Sequence, residues 1–152
     1  MTTGLWVLVG AVVLALAVGG WRAAVDGRFA RRGRVREQGT TAGDAAQPSV
    51  WAEVAAAMPD VVPGARATLV QFSTAFCAPC RATRRTLGEV ADLVPGVTHV
   101  EVDAEHHLEL VRRLGVLRTP TTLVLDAEGR EVTRAAGAPR KEQVLGALGE
   151  AV

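Results

Sequence analysis

The stretch Leu69-Val70-Gln71-Phe72-Ser73-Thr74-Ala75-Phe76-Cys77-Ala78-Pro79-Cys80 decides how this chain folds and what chemistry it carries. Residues 67–73 are apolar and β-branched enough to predict a strand, and residues 79–93 predict a helix. Both cysteines therefore fall at a strand-to-helix junction. A sulfur there faces backbone N–H groups with no partner inside the helix, together with the positive end of the helix dipole, and both favour thiolate over thiol. Cys77 is accordingly the candidate attacking sulfur and Cys80 the candidate resolving sulfur. Pro79 suits the first helical turn, where its missing N–H costs nothing and its fixed φ is already correct. With Phe76 and Ala78 it forms the redox loop around the sulfurs, and Arg81, Arg84 and Arg85 add positive charge in the next turns.

Two cysteines at this spacing admit other readings. A structural disulfide closing so short a loop would constrain the unfolded chain little. A zinc half-site would need two more ligands, yet there is no second Cys-x-x-Cys, and His99, His106 and His107 are the only imidazoles. His106 and His107 are adjacent on a predicted helix, so they diverge by about 100°. A buried, inert pair does not suit sulfurs at a junction of this kind, which are usually exposed. A soft-metal chaperone using both sulfurs for an ion such as Cu(I) stays open as an alternative class. No metal, flavin or nucleotide signature is present, so no cofactor is expected. Electrons must then pass to or from a separate electron donor protein.

Outward from the motif, the remaining elements follow by periodicity. Ser49 can cap a short helix reaching Met58. A second strand is predicted over 97–102, a helix over 106–114 closed by Gly115, strands over 121–125 and 131–135 around the turn residues 126–129, and a last helix over 139–148. Strands alternating with helices imply parallel pairing, while the terminal hairpin supplies an antiparallel edge. The expectation is an α/β domain over 49–152 with a mixed sheet of about four strands flanked by helices. A chain of 152 residues that is 49% hydrophobic has room for this one domain and a short appendage.

In this region, over roughly residues 67–148, the chain resembles the thioredoxin family. The quoted stretch resembles the family's strand, turn and redox motif, Val100-Glu101-Val102-Asp103 its next strand, and Leu114-Gly115-Val116-Leu117-Arg118-Thr119-Pro120-Thr121-Thr122-Leu123 the segment holding its cis-proline. The resemblance implies thiol–disulfide oxidoreductase activity on a disulfide-containing protein substrate. It also implies that Pro120 follows a cis bond beside the Cys77 sulfur, with Thr119 offering backbone hydrogen bonds to an extended substrate. A proline before the second cysteine resembles reducing members of the family. The chain also departs from the pattern. Gln71 stands where thioredoxins usually carry a buried acid, and Gln cannot titrate. Phe76 and Ser73 replace the usual tryptophans, His99 stands where a lysine is common, and the strand expected before Ser49 is not recognisable.

The N-terminus is of a different kind. Residues 1–21 carry no charged side chain, and 4–21 is close to the minimum that crosses a hydrocarbon core of about 30 Å as a helix. Trp6 and Trp21 lie near its ends, where indole rings favour the interface. The expectation is a transmembrane anchor over 1–21 in the lipid bilayer. A cleaved signal peptide is the alternative, but the first residues carry no Lys or Arg. Residues 22–48 read as a basic juxtamembrane segment and flexible linker, with Arg22, Arg28, Arg31, Arg32, Arg34 and Arg36 opposed by Asp26 and Glu37. Positive flanks stay on the cytoplasmic side, so the domain is expected there, tethered to the cell membrane by one pass. The rival placement is extracytoplasmic, servicing cytochrome maturation or exported disulfides. A formal charge of +1 gives no reason to expect nucleic acid as a partner.

Overall fold

The structure, a computed structural model, describes residues 2–25, 29–31 and 49–152. It opens with helix α1, Thr2–Val25, followed by a short strand β1, Phe29–Arg31. Among the described residues no helix is long and apolar enough to cross a membrane. The expected anchor is thus present as a helix and is not assigned as a span. Of the basic segment and linker expected over 22–48, residues 26–28 and 32–48, with Arg28, Arg32, Arg34 and Arg36, lie outside the described residues.

The remaining elements are α2 (Val50–Ala57), β2 (Ala67–Ser73), α3 (Ala78–Leu93), β3 (Val97–Asp103), α4 (Leu108–Arg113), β4 (Thr121–Leu125), β5 (Glu131–Ala136) and α5 (Lys141–Leu148). They build one sheet in the order β1-β5-β4-β2-β3. β2 and β3 are parallel, Gln71 opposite Glu101, and the β2–β4 and β4–β5 pairs are antiparallel. This is the expected mixed sheet with one correction: it has five strands, because Phe29–Arg31 adds antiparallel to the outer edge of β5. Three residues are too few to show a strand periodicity, so this strand was hidden in the stretch expected to be a basic juxtamembrane segment.

Local sequence accounts for most boundaries. The Ser49 hydroxyl accepts from Ala52 N–H at 3.2 Å and starts α2 as expected. The last helix starts later than its proline, since Arg140 N–H donates to the Gln143 side chain at 2.8 Å and makes residue 140 the cap. In the β4–β5 turn Gly129 adopts φ +76°, and a Cβ there would lie 2.5 Å from the Trp51 Cβ. Only glycine combines that conformation with so close a neighbour. Trp51 N–H donates to Gly129 C=O at 3.0 Å, joining the hairpin to α2.

The core lies in two layers on either side of the sheet. One packs Val70, Phe72, Val102, Leu123 and Leu125 against Val50 and Val54 of α2 and Leu110 of α4. The other packs Leu69, Val97 and Val124 against Leu87 and Val90 of α3 and Val144 and Leu148 of α5. Alternate strand residues feed opposite layers, as a two-residue side-chain period requires.

Candidate active site

Cys77 is the N-cap of α3, with extended backbone at φ −102° and ψ 99°. This geometry turns its side chain back over the first turn, where the Cys80 N–H donates to Cys77 Sγ at 3.1 Å. The same interaction is available to a Cys77 thiolate, which is the physical basis expected for its reactivity. Pro79 sits in the first turn, where no intrahelical donor is lost. Cys77 and Cys80 are joined as a disulfide, with their Cα atoms 5.2 Å apart. Their exposure differs: Cys77 is half-buried, whereas Cys80 is 2% exposed. Phe76, Ala78 and Pro79 are exposed around them, Phe76 at 99%.

The Thr119–Pro120 bond is cis, as the resemblance implies. Thr119 Oγ1 lies 3.4 Å from Thr74 Oγ1, which ties this loop to the one that precedes the motif. Pro79, Thr119 and Pro120 share a groove with Arg118, Arg140 and Gln143. Of the sites expected from sequence, the redox loop and the proline loop therefore meet on one surface. Leu117, 96% exposed, adds an apolar side chain to that loop.

Beneath Cys80 the sheet is polar. Gln71 is fully buried, and its Nε2 donates to the Cys80 carbonyl at 3.0 Å. Its Oε1 lies 3.1 Å from His99 Nε2; since an amide oxygen only accepts, the ring must carry its proton on that nitrogen. Gln71 thus replaces a titrating group with a fixed bridge between α3 and β3. Burial holds the His99 imidazole below its ordinary pKa, and the Arg84 charge acts the same way, against the pull of Glu101.

A cluster that sequence reading did not single out lies next to it. Glu101 accepts from Ser73 Oγ at 2.5 Å and from Arg84, whose Nε and Nη2 each approach a carboxylate oxygen at 2.6 Å. Burial pushes the Glu101 carboxyl upward, but the Arg84 and Ser73 hydrogen bonds and the Arg84 and His99 charges outweigh it and hold it below the ordinary value. Ser73, Cys80, Arg84 and Glu101 line a common cavity of about 330 Å³, with Arg81 and Asp103 also on its wall. The available signal was register: in parallel strands that both alternate, a polar 99 and 101 face the same side as 71 and 73. Among the described residues no group of three or more His, Cys, Asp or Glu side chains is arranged to hold a metal ion.

Comparison with known proteins agrees with this geometry. A family model described as a thioredoxin-like domain matches residues 54–151. The thioredoxin of Mycobacterium bovis is 31% identical over 94 residues, 61% of this chain and 80% of that protein. Thioredoxin-2 of Pyricularia oryzae is 31% identical over 87 residues, 57% of this chain but only 50% of that protein. The X-ray structure of Fasciola hepatica thioredoxin superposes with a TM-score of 0.52 at 25% identity, covering 59% of this chain and 84% of that one. A dithiol at a helix start, a cis-proline loop beside it and a family match across most of the domain have one common reading: the chain belongs to the thioredoxin-like domain family, whose homologues and fold imply thiol–disulfide oxidoreductase activity.

Proposed function

We propose that this protein reduces disulfides in protein substrates through Cys77 and Cys80 while tethered to a membrane. The observation that carries the chemistry is the pairing of a half-buried Cys77, whose Sγ accepts from the Cys80 N–H in the first turn of α3, with a Cys80 that is 2% exposed. In the proposed cycle the Cys77 thiolate attacks one sulfur of a substrate disulfide, forming a mixed disulfide and expelling the other sulfur as thiolate. Cys80 then attacks Cys77, the substrate's second sulfur leaves, and the Cys77–Cys80 bridge remains. Two thiols are oxidised and one substrate disulfide is reduced, and a separate donor protein restores the dithiol. Thr119 and Pro120, with the exposed Phe76, form the face offered to the substrate.

Replacing Cys80 with Ser removes the second step only. The C80S protein is expected to accumulate a covalent complex through Cys77 in cells and to lose insulin disulfide reduction. A trapped link through position 80 of the reciprocal C77S variant, with none through Cys77, would reverse the assignment.

The tether is read from the sequence: residues 1–21 carry no charge, and arginines dominate directly after them. That charge bias supports a cytoplasmic domain and so a reducing direction. Labelling of reduced Cys77 by a membrane-impermeant thiol reagent in intact cells tests the side; labelling without lysis would place the domain outside.

A further inference from the structure

The buried Cys80 has a difficulty that the proposed cycle leaves open. To act as a nucleophile it must lose a proton, yet it is 2% exposed and the side chain bonded to its carbonyl, Gln71, cannot titrate. The wall of the cavity that reaches Cys80 supplies two carboxylates. Asp103 lies at the end of its strand with its side chain 41% exposed, its oxygens bonded to the N–H of Glu105 and to His106. Glu101 is on the strand beside Gln71, in register with it, and its side chain is 25% exposed. The groups facing it are Arg84 from α3, Ser73 from β2 and His99 from its own strand, with Arg81 on the same cavity wall.

We propose that Glu101 accepts, across this cavity, the proton that Cys80 loses as it attacks the Cys77 mixed disulfide. The acid needed by the second cysteine has in effect moved from β2 to its neighbour β3. In this step the Cys80 S–H bond breaks and the proton passes to the Glu101 carboxylate. The Cys80 sulfur bonds to Cys77 Sγ, the bond between Cys77 and the substrate sulfur breaks, and that sulfur leaves as thiolate and takes a proton from solvent. Glu101 then returns its proton to solvent through the open side of the cavity. Arg84 lowers the basicity of the carboxylate, while the Ser73 hydroxyl also holds it in place.

This inference rests on the dithiol reading, and one experiment separates the two. The reduced full-length protein is mixed with the aromatic disulfide reagent dithionitrobenzoate, which releases one coloured thiolate when Cys77 attacks and a second when Cys80 resolves the mixed disulfide. Glu101→Gln is expected to leave the first release unchanged and to slow the second by about a hundredfold or more at pH 7, a loss of the size general-base removal produces. The deficit should shrink as the pH rises, because hydroxide can then take the Cys80 proton in place of Glu101. Glu101→Asp should recover part of the rate. Arg84→Met breaks the same ion pair but leaves a more basic carboxylate, so its second release is expected to be at least as fast as in the unmodified protein. A normal second release in Glu101→Gln, or equal slowing in both variants, overturns the role of Glu101. A first release no faster than that of an ordinary free thiol overturns the dithiol reading instead.

Discussion

The two faces of the sheet are made by alternate residues of the same strands, yet they differ in kind. Toward α2 and α4 the strands present Val70, Phe72, Val102, Leu123 and Leu125, an apolar centre with the buried Thr68, Thr121 and Glu131 at its margins. Toward α3 the surface is apolar only at one end, where Leu69, Val97 and Val124 meet Leu87 and Val90. At the other end, under Cys80, it becomes Gln71, Ser73, His99 and Glu101. The Thr83 and Thr122 hydroxyls, also buried, have no hydrogen-bond partner among the described residues. The apolar face holds the fold together, and the polar end places donors, acceptors and charge around a sulfur that must change its protonation state. A dry face has no means of doing that, because an unpaired charge in it costs several kcal/mol.

The largest expected effect is on the apolar face. Phe72→Ala removes a fully buried ring from the centre of that layer and should destabilise the domain by about 3–5 kcal/mol, measured by denaturant unfolding. A loss below about 1 kcal/mol would mean that this layer is not the principal core. Next comes the polar end. Gln71→Leu keeps the volume but strands His99 Nε2–H and one bond of the Cys80 carbonyl, so a loss of about 1–3 kcal/mol is expected despite the more apolar residue. A gain in stability would show that this end behaves like the other face.

The smallest effect is a slope with pH. A folded His99 held below its ordinary value binds its proton less tightly than the unfolded chain does. Its contribution to stability is therefore complete above about pH 6.5 and is lost as the pH falls from there towards the folded value. Glu101, also held low, adds a loss of the same sign below about pH 4.5, as its ion pair with Arg84 is protonated away. Unfolding free energies between pH 7 and 5 should show the first decline, and His99→Asn should flatten it. An unchanged slope in that variant would assign the decline elsewhere.

How much of this was legible depended on the range of the interaction. β2 over Ala67–Ser73, α3 behind it and the cap at Ser49 were readable because periodicity and capping act within a few residues. The cis bond at Pro120 came from resemblance rather than from the residues themselves, since local sequence gives most X-Pro bonds a trans preference. The strand Phe29–Arg31 was illegible, because its pairing with β5 joins positions about a hundred residues apart and three residues carry no pattern.

By itself, the sequence determined the order of elements, the apolar alternation that sorts strand residues between two layers, and the position of two sulfurs at the start of a helix. Each of these follows from local backbone preference and side-chain period. Only the tertiary structure decided that Gln71 would bridge Cys80 to His99, and that Glu101, pinned by Ser73 and Arg84, would share a cavity with the buried sulfur. Those neighbours are set by the register of parallel strands and by where α3 lies across them, and register is a property of paired chains that no single segment contains.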